Sequence, residues 1–200
     1  EDLDIRGGGN ILGEEQHGSM QMVGVGYYMR LLEEAIDRIK NPESSTESLS
    51  TENIKIDLPV SAYIPDGFYK KEEDKIRAYQ TLAGIDDEDD LEQFILGLKE
   101  LSYEVVPEIQ ALLEIVRIRI NSRKAGVKSI IAKNVLGMGE NKIKKLYIDF
   151  DHVLTKDEIN KILAVHYDWY LGNTQIRIDL ERLGDDWMRK ILILIKSLIK

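Results

Sequence analysis

The chain contains no cysteine among its 200 residues. Disulfide bonds and thiolate metal sites are therefore excluded, and the composition fits a reducing compartment. No apolar run reaches the roughly 18 residues that a membrane span needs, and the N-terminus lacks the basic start and apolar run of a signal peptide. We therefore expect a cytoplasmic protein with no membrane partner, and its length suffices for one domain with a hydrophobic core plus an appendage.

Recognisable catalytic and metal-binding patterns are also missing. The histidines His152 and His166 lack the paired spacing of zinc ligands, so we interpret them as satisfied or exposed polar residues, and His17 as solvated. There is no Walker A loop, no G-x-S-x-G and no H-E-x-x-H. We expect no catalytic residue, no metal site and no ATP site in this stretch.

Positive charge is scarce, with 27 Lys and Arg against 36 Asp and Glu and a net charge of −9. Such a chain repels the phosphate backbone, so it should bind DNA poorly by itself. Residues 101–150 are the exception, with nine basic residues against five acidic ones. These side chains form either a solvated helix face, which we favour, or a local positive face for nucleic acid: Arg117, Arg119, Arg123, Lys124, Lys128 and Lys133.

The run DLDIRGGGNILGEEQHG, residues 2–18, is unlike a simple helix or strand. Its glycines, Gly7, Gly8, Gly9 and Gly13, permit a shaped loop. Arg6 enters this loop from an extended arm and Gln16 leaves it toward a helical pattern. A forked guanidinium and an amide placed this way suit phosphates or neighbouring protein elements. The alternative is an ordinary glycine turn.

This run resembles the translocation motif that ends the second motor domain of bacterial transcription-repair coupling factors (Mfd) and is shared with the helicase RecG. The similarity continues in KIDLPVSAYIPDGFY, KIRAYQTLAG and PEIQALLEIVRIRINSRKAGV, and it extends over about residues 1–134. The chain starts without methionine inside a recognisable motif, so we expect a piece of a longer protein. The resemblance implies a parent ATPase that binds ATP and Mg, moves on duplex DNA, removes stalled RNA polymerase and recruits nucleotide excision repair.

The resemblance also implies roles for particular residues. Arg6, Gly7, Gly9, Gly13 and Gln16 match the translocation motif, which couples ATP hydrolysis to movement. The family's C-terminal domain acts as an autoinhibitory clamp that docks on a UvrB-like N-terminal module and masks the surface for UvrA. Its E-L-x-D-R-F-G stretch corresponds to GLKELSYEVVP here, where Glu100 matches an acidic position and R-F-G is absent.

Three parts of the chain follow from composition and resemblance together. Residues 1–40 are predicted to be the end of the motor domain, including an amphipathic helix at about 27–40. Residues 41–53, rich in serine, threonine and glutamate, are predicted to be a flexible linker. Residues 54–200 are predicted to be a C-terminal regulatory domain, and the alternative is a free-standing nucleic-acid-binding module that uses basic residues 117–145.

The periodicity of residues 54–200 predicts an α+β fold, with a small, mostly antiparallel sheet flanked by helices and preceded by the helical and hairpin appendage. Pro65, Asp66 and Gly67 predict a turn. Asp86 or Asp87 is predicted to cap a helix within DDEDDLE, an acidic cluster that we interpret as a solvated helix start. The predicted strands are 54–58, 127–133, 144–150 and 174–180, and the predicted helices surround 76–83, 91–98, 107–126, 155–165 and 185–200.

Overall fold

The computed structural model describes residues 54–100, 105–136, 142–166 and 168–199. These residues form an α+β domain of helices and one sheet, which confirms the predicted fold class. The predicted appendage at 1–40 and linker at 41–53 lie outside the described residues, as does most of the LGMGENK connection. None of the described helices is both long and apolar enough to cross a membrane.

The described chain begins with one strand and three consecutive helices and continues with strands and helices in an order close to the predicted one. The helices are α1 (Glu72–Gly84), α2 (Glu88–Glu100), α3 (Pro107–Lys124), α4 (Lys156–Val165) and α5 (Trp187–Leu198). The strands are β1 (Lys55–Asp57), β2 (Val127–Leu136), β3 (Lys142–Phe150), β4 (Tyr170–Leu171) and β5 (Gln175–Asp179). The two-residue strand β4 is absent from the predicted elements, because two residues are too short to show an alternating pattern.

The five strands form one sheet in the order β1-β2-β3-β5-β4. Only β1 and β2 pair in parallel, and the other three pairs are antiparallel, as the sequence predicts. A parallel pair cannot be joined by a tight hairpin, because the chain must return to the same end of the sheet. Helices α1 to α3 supply this connection.

Alternation along the strands gives the sheet two unlike faces. One face contributes the buried residues Ile130, Leu146, Ile148, Ile176 and Ile178 to the hydrophobic core. The residues between them point to the opposite face and are half-buried or exposed. Because successive side chains of a strand point to opposite faces, the apolar side chains pack against the helices and the polar and aromatic ones lie on the other face of the sheet.

Helix α3 is the central helix of the domain and contacts α2, α5 and β2. Its predicted inward residues, Leu112, Leu113, Val116 and Ile120, are all buried. Burial extends further round the helix than one amphipathic face allows, and it includes Ile109, Ile115, Ile118, Arg119, Asn121 and Ser122. A helix enclosed on several sides has to satisfy its polar side chains inside the protein.

Local signals in the sequence position the ends of these elements. The predicted turn at residues 65–67 is present, with Gly67 at φ +80° and the Phe68 amide donating to the Pro65 carbonyl at 3.2 Å. Thr155 caps α4 through a capping box with Glu158, as its threonine predicts. The Asp87 carboxylate caps α2 by accepting a hydrogen bond from the Asp90 amide at 2.8 Å. Of the two predicted capping residues, Asp86 and Asp87, the structure therefore selects Asp87.

Candidate interaction surface

The acidic start of α2 is paired with the basic side of α3. Asp86 forms an ion pair with Arg123, and Glu92 forms one with Arg117. Both carboxylates are largely exposed, whereas both arginines are about seven-tenths covered. The interpretation as a solvated helix start therefore fits Asp89 and Asp90, which are exposed, whereas Asp86 and Glu92 are paired with α3.

Glu88 joins three helices at one carboxylate. Its Oε1 accepts from the Asn121 amide at 2.6 Å on α3, and it lies 2.7 Å from Lys196 Nζ on α5. Burial alone would raise the pKa of Glu88, but the hydrogen bonds from Lys196 and Asn121 and the positive charges of Lys196 and Arg117 outweigh it and lower that pKa. Glu88 is thus held ionised where α2, α3 and α5 meet.

Arg119 is buried, with 7% of its surface exposed. Its Nη2 donates to the carbonyl oxygens of Leu82 at 2.7 Å and Ile85 at 2.9 Å, at the C-terminal end of α1. The last carbonyls of a helix have no partner within the helix, and a cation is favourable there. The prediction of a solvated helix face is therefore wrong for Arg119. The signal that sequence reasoning missed is its position between Ile118 and Ile120, both fully buried.

These contacts divide the predicted basic region into two parts. The arginines of α3 are occupied within the domain, so they do not form the positive face that the alternative prediction required. Lys124, Lys128 and Lys133 are exposed. The positive charge that remains accessible in this region lies mainly on and beside the strands.

Glu100 is the last residue of α2, at the opposite end from the paired acidic cluster. Its side chain is exposed and pairs with no cation in the described part of the chain. A carboxylate at the C-terminal end of a helix faces the negative end of the helix dipole, which disfavours it by about 0.3–1 kcal/mol. An arginine from another protein surface would relieve this unfavourable placement.

His152 lies beside the buried carboxylate of Glu158. His152 Nδ1 is 2.6 Å from Asp151 Oδ1, and its Nε2 is 3.2 Å from Glu158 Oε1. The hydrogen bond to Asp151 and the one to Glu158 raise the pKa of His152. Burial opposes ionisation of Glu158, but hydrogen bonds from the Thr155 amide, the Thr155 hydroxyl and His152 lower its pKa overall.

The polar atoms of His152 and Glu158 are hydrogen-bonded to neighbouring protein groups. Each polar atom of the His152 and Glu158 pair faces another protein group, and no group of three His, Asp or Glu residues in the described ranges has the geometry to hold a metal. His166, at the C-terminal end of α4, stacks on Trp169 with the ring planes 3° apart. The two histidines are thus separate, as their spacing predicts.

The residues of the predicted translocation motif, Arg6, Gly7, Gly9, Gly13 and Gln16, lie outside the described residues, as does His17. Their roles stay predictions from the resemblance.

Comparison with known proteins gives consistent matches. The family model of the TRCF domain matches residues 58–144. The chain is 34% identical over 131 residues to the transcription-repair-coupling factor of Escherichia coli K12, which covers 64% of this chain and 11% of that protein. It is 31% identical over 167 residues to that of Borreliella burgdorferi, covering 82% of this chain and 14% of that protein.

A solved structure supports the fold. The crystal structure of a C-terminal domain of transcription-repair coupling factor superposes with a TM-score of 0.61 at 22% identity, covering 73% of this chain and 91% of that one. The chain spans about a tenth of the length of the curated relatives it matches. The matched domain and the agreement among these relatives identify residues 58–144 as a TRCF domain of the transcription-repair coupling factor type.

Proposed function

We propose that residues 54–200 form the regulatory interaction domain of an ATP-dependent translocase on duplex DNA that removes stalled RNA polymerase in the cytoplasm. In this role the domain docks on a UvrB-like N-terminal module of the same protein and masks the surface that recruits UvrA for nucleotide excision repair. The proposal rests on the matched TRCF domain and on one structural contrast within α2.

That contrast is between the two ends of α2. Near its N-terminal end, Glu92, Asp86 and Glu88 form ion pairs within the domain, with Arg117, Arg123 and Lys196 respectively. Glu100 at the other end is exposed, and no cation of the described residues reaches it. The one family-matched acidic position is therefore accessible to arginines of a docking partner, which supports Glu100 as a contact residue.

Residues 1–40 are proposed to end the second motor domain, with Arg6, Gly7, Gly9, Gly13 and Gln16 in the translocation motif. Residues 41–53 would then connect motor and regulator. ATP and Mg would bind in the parent protein outside this chain, so the chain itself would hydrolyse nothing. This assignment rests on the sequence resemblance, because these residues lie outside the described ranges.

The alternative of a nucleic-acid surface over residues 117–145 is less well supported. Affinity for nucleic acid depends on cations that are free to neutralise phosphates. Arg117 and Arg123 are already paired with carboxylates, and Arg119 is buried against backbone carbonyls. The helical half of that surface is thus unavailable in the folded domain.

The proposal is tested by titrating the 200-residue chain against the separately expressed UvrB-like module of its own parent factor, at low and moderate salt. We expect salt-sensitive binding, and Glu100→Gln should weaken it by up to about fivefold, since a rim charge pair contributes about 1 kcal/mol or less. Glu100→Lys should weaken it further by placing like charges together.

Asp185→Lys is the matched control, because Asp185 is an exposed carboxylate away from α2. It should leave module binding unchanged. Tight duplex-DNA binding by the chain together with no measurable binding to the module would contradict the regulatory role.

A further inference from the structure

The face of the sheet that points away from the core has an unusual composition, and we refer to it as the open sheet face. Its central cross-strand row runs Asp57, Ile131, Tyr147, Arg177 and Tyr170 from β1 to β4. Two further rows flank it: Lys55, Ser129, Asp149 and Gln175 on one side, and Lys133, Lys145 and Asp179 on the other. Of these twelve side chains, only Ile131 is aliphatic.

Two tyrosines on this face are associated with cations. The Arg177 guanidinium lies 4.7 Å from the ring centroid of Tyr170, and Lys133 Nζ lies 5.4 Å from that of Tyr147. Tyr170 is 60% exposed, which is high for a large aromatic side chain. Aromatic rings and cations therefore alternate across strands β2 to β4.

A hydrogen-bonded network holds Arg177 in this position. Its Nε donates to Gln175 Oε1 at 2.7 Å, and Gln175 Nε2 donates to Asp149 Oδ1 at 2.6 Å. Ser129 donates to the second Asp149 oxygen at 2.8 Å. Asp149 is thus occupied by neutral donors rather than by a cation, and the guanidinium is fixed in place before any ligand arrives, which reduces the entropy lost on binding.

Lys133 and Lys145 lie directly opposite each other on β2 and β3. Like charges in opposed positions destabilise a sheet. No carboxylate of the described residues forms an ion pair with either lysine, although Asp179 lies opposite Lys145 on β5, where it is within 3.6 Å of Arg182 instead. In an acidic chain whose α3 arginines are paired, two unpaired opposed lysines suggest an anionic ligand.

We propose that the open sheet face binds single-stranded nucleic acid. Bases would stack on Tyr147, on Tyr170 and on the Arg177 plane, while Lys133 and Lys145 would neutralise phosphates. Exposed aromatic rings on a sheet provide stacking platforms for bases of any sequence, and neighbouring cations follow the backbone. A duplex presents no free base plane to these rings, so it should bind less tightly.

The site shares Lys133 and Lys145 with the basic region considered above, but it excludes α3 and depends on tyrosines. It is also independent of docking through Glu100, which lies on a helix. An acidic protein segment is the competing ligand, and it would use the cations without needing the rings.

The test is fluorescence anisotropy with the full 200-residue chain and labelled 12-nucleotide oligo(U), oligo(dT) and a mixed-sequence duplex of the same length. We expect saturable binding of at least one single strand and weaker binding of the duplex. Preference for oligo(U) would assign RNA as the ligand, and equal or greater affinity for oligo(dT) would assign single strands of either kind or DNA.

Variants separate stacking from charge. Tyr170→Ala should weaken binding by about five- to hundredfold, because a base loses its stacking surface, whereas Tyr170→Phe should retain binding. Lys133→Ala should reduce the slope of log affinity against log salt by about 0.7. The controls are Tyr63→Ala, an exposed tyrosine outside the sheet, and Lys161→Ala on α4, which should both bind as wild type.

Tyr170 is the most informative position to substitute. Its side chain is largely exposed, so the variant should keep the fold, and circular dichroism checks this. Three results would overturn the proposal: no saturable binding of either single strand, equal binding of the duplex, or binding that is unaffected by Tyr170→Ala. If polyglutamate displaces the oligonucleotide equally well from wild type and from Tyr170→Ala, the face binds an acidic protein segment instead.

Discussion

Arg119 donates a hydrogen bond from its guanidinium to the carbonyl oxygen of Leu82 at 2.7 Å. The contact joins α3 to the end of α1, and the two residues are 37 positions apart along the chain. It satisfies a carbonyl that α1 cannot satisfy itself, and it does so inside the core. Arg119 therefore helps to position α1, together with the buried side chains of Ala78, Tyr79 and Leu82.

Replacing this cation should destabilise the domain. Arg119→Met retains most of the side-chain volume but leaves the carbonyls of Leu82 and Ile85 without their donor, so we expect a loss of about 2–4 kcal/mol in the free energy of unfolding. Urea denaturation followed by circular dichroism measures it. Arg182→Met is the control, since Arg182 is 66% exposed and its ion pairs should contribute less than about 1 kcal/mol. Equal effects of the two substitutions would show that Arg119 does not anchor α1.

Gly126 connects α3 to β2 and should not tolerate a side chain. Its φ is +69°, and a Cβ there would lie 2.8 Å from Asp151 Oδ1 and 2.9 Å from His152 Nδ1. We expect Gly126→Ala to cost about 1–3 kcal/mol from backbone strain, with an added cost from displacing these side chains. Gly97→Ala is the matched control, because a Cβ in that helical position meets nothing within 4 Å. It should stabilise α2 by about 0.5–1 kcal/mol, and thermal melts of both variants would reveal the opposite signs.

Stability should depend on pH through His152. Its pKa is raised in the folded protein by Asp151 and Glu158, so its stabilising effect is complete below the ordinary histidine value of about 6.5 and is lost as pH rises through the folded value. Glu158 acts in the opposite sense, because its pKa is lowered and its contribution is lost as pH falls below about 4.5.

The measurement is the melting temperature of wild type and His152→Gln between pH 5 and 8.5. The advantage of wild type should be largest near pH 6 and shrink above that. Lys161→Gln, on neighbouring α4, should keep the wild-type profile. If the melting temperatures of wild type and His152→Gln change in parallel with pH, His152 does not cause the pH dependence of stability.

The proposed translocation motif gives a prediction for the whole factor. Arg6→Ala or Gln16→Ala should leave ATP hydrolysis present while removing displacement of stalled RNA polymerase, because the motif would couple hydrolysis to movement. Steady-state ATPase and polymerase-displacement assays on the same preparations test this. Lost ATPase activity, with normal displacement for each ATP consumed, would contradict the coupling role.

Much of the fold could be predicted from local patterns. Alternation in VKSIIAK, KKLYIDF and TQIRIDL predicted three strands of the sheet, and all three are present as β2, β3 and β5. Thr155 and Pro107 predicted the starts of α4 and α3. These predictions succeed because strand alternation and helix caps are decided by residues at most four positions apart.

The candidate sites were less predictable. The family resemblance selected Glu100, but only the structure shows that its side chain is exposed and forms no ion pair with a cation of the described residues. The sequence indicated only Lys133 and Lys145 of the open sheet face, as part of the basic region. Tyr147, Arg177 and Tyr170 were missed because they belong to three strands whose order in the sheet differs from their order in the chain.

The amino-acid sequence by itself determined the family resemblance, the α+β class and the boundaries of most elements, since these depend on composition, motifs and short-range spacing. Only the tertiary structure decided which charges are paired. Asp86 and Arg123 are 37 residues apart, and nothing local to either residue specifies the other. Whether a charged side chain is bound inside the domain or free for a partner depends on how distant elements pack, and packing is a property of the whole chain.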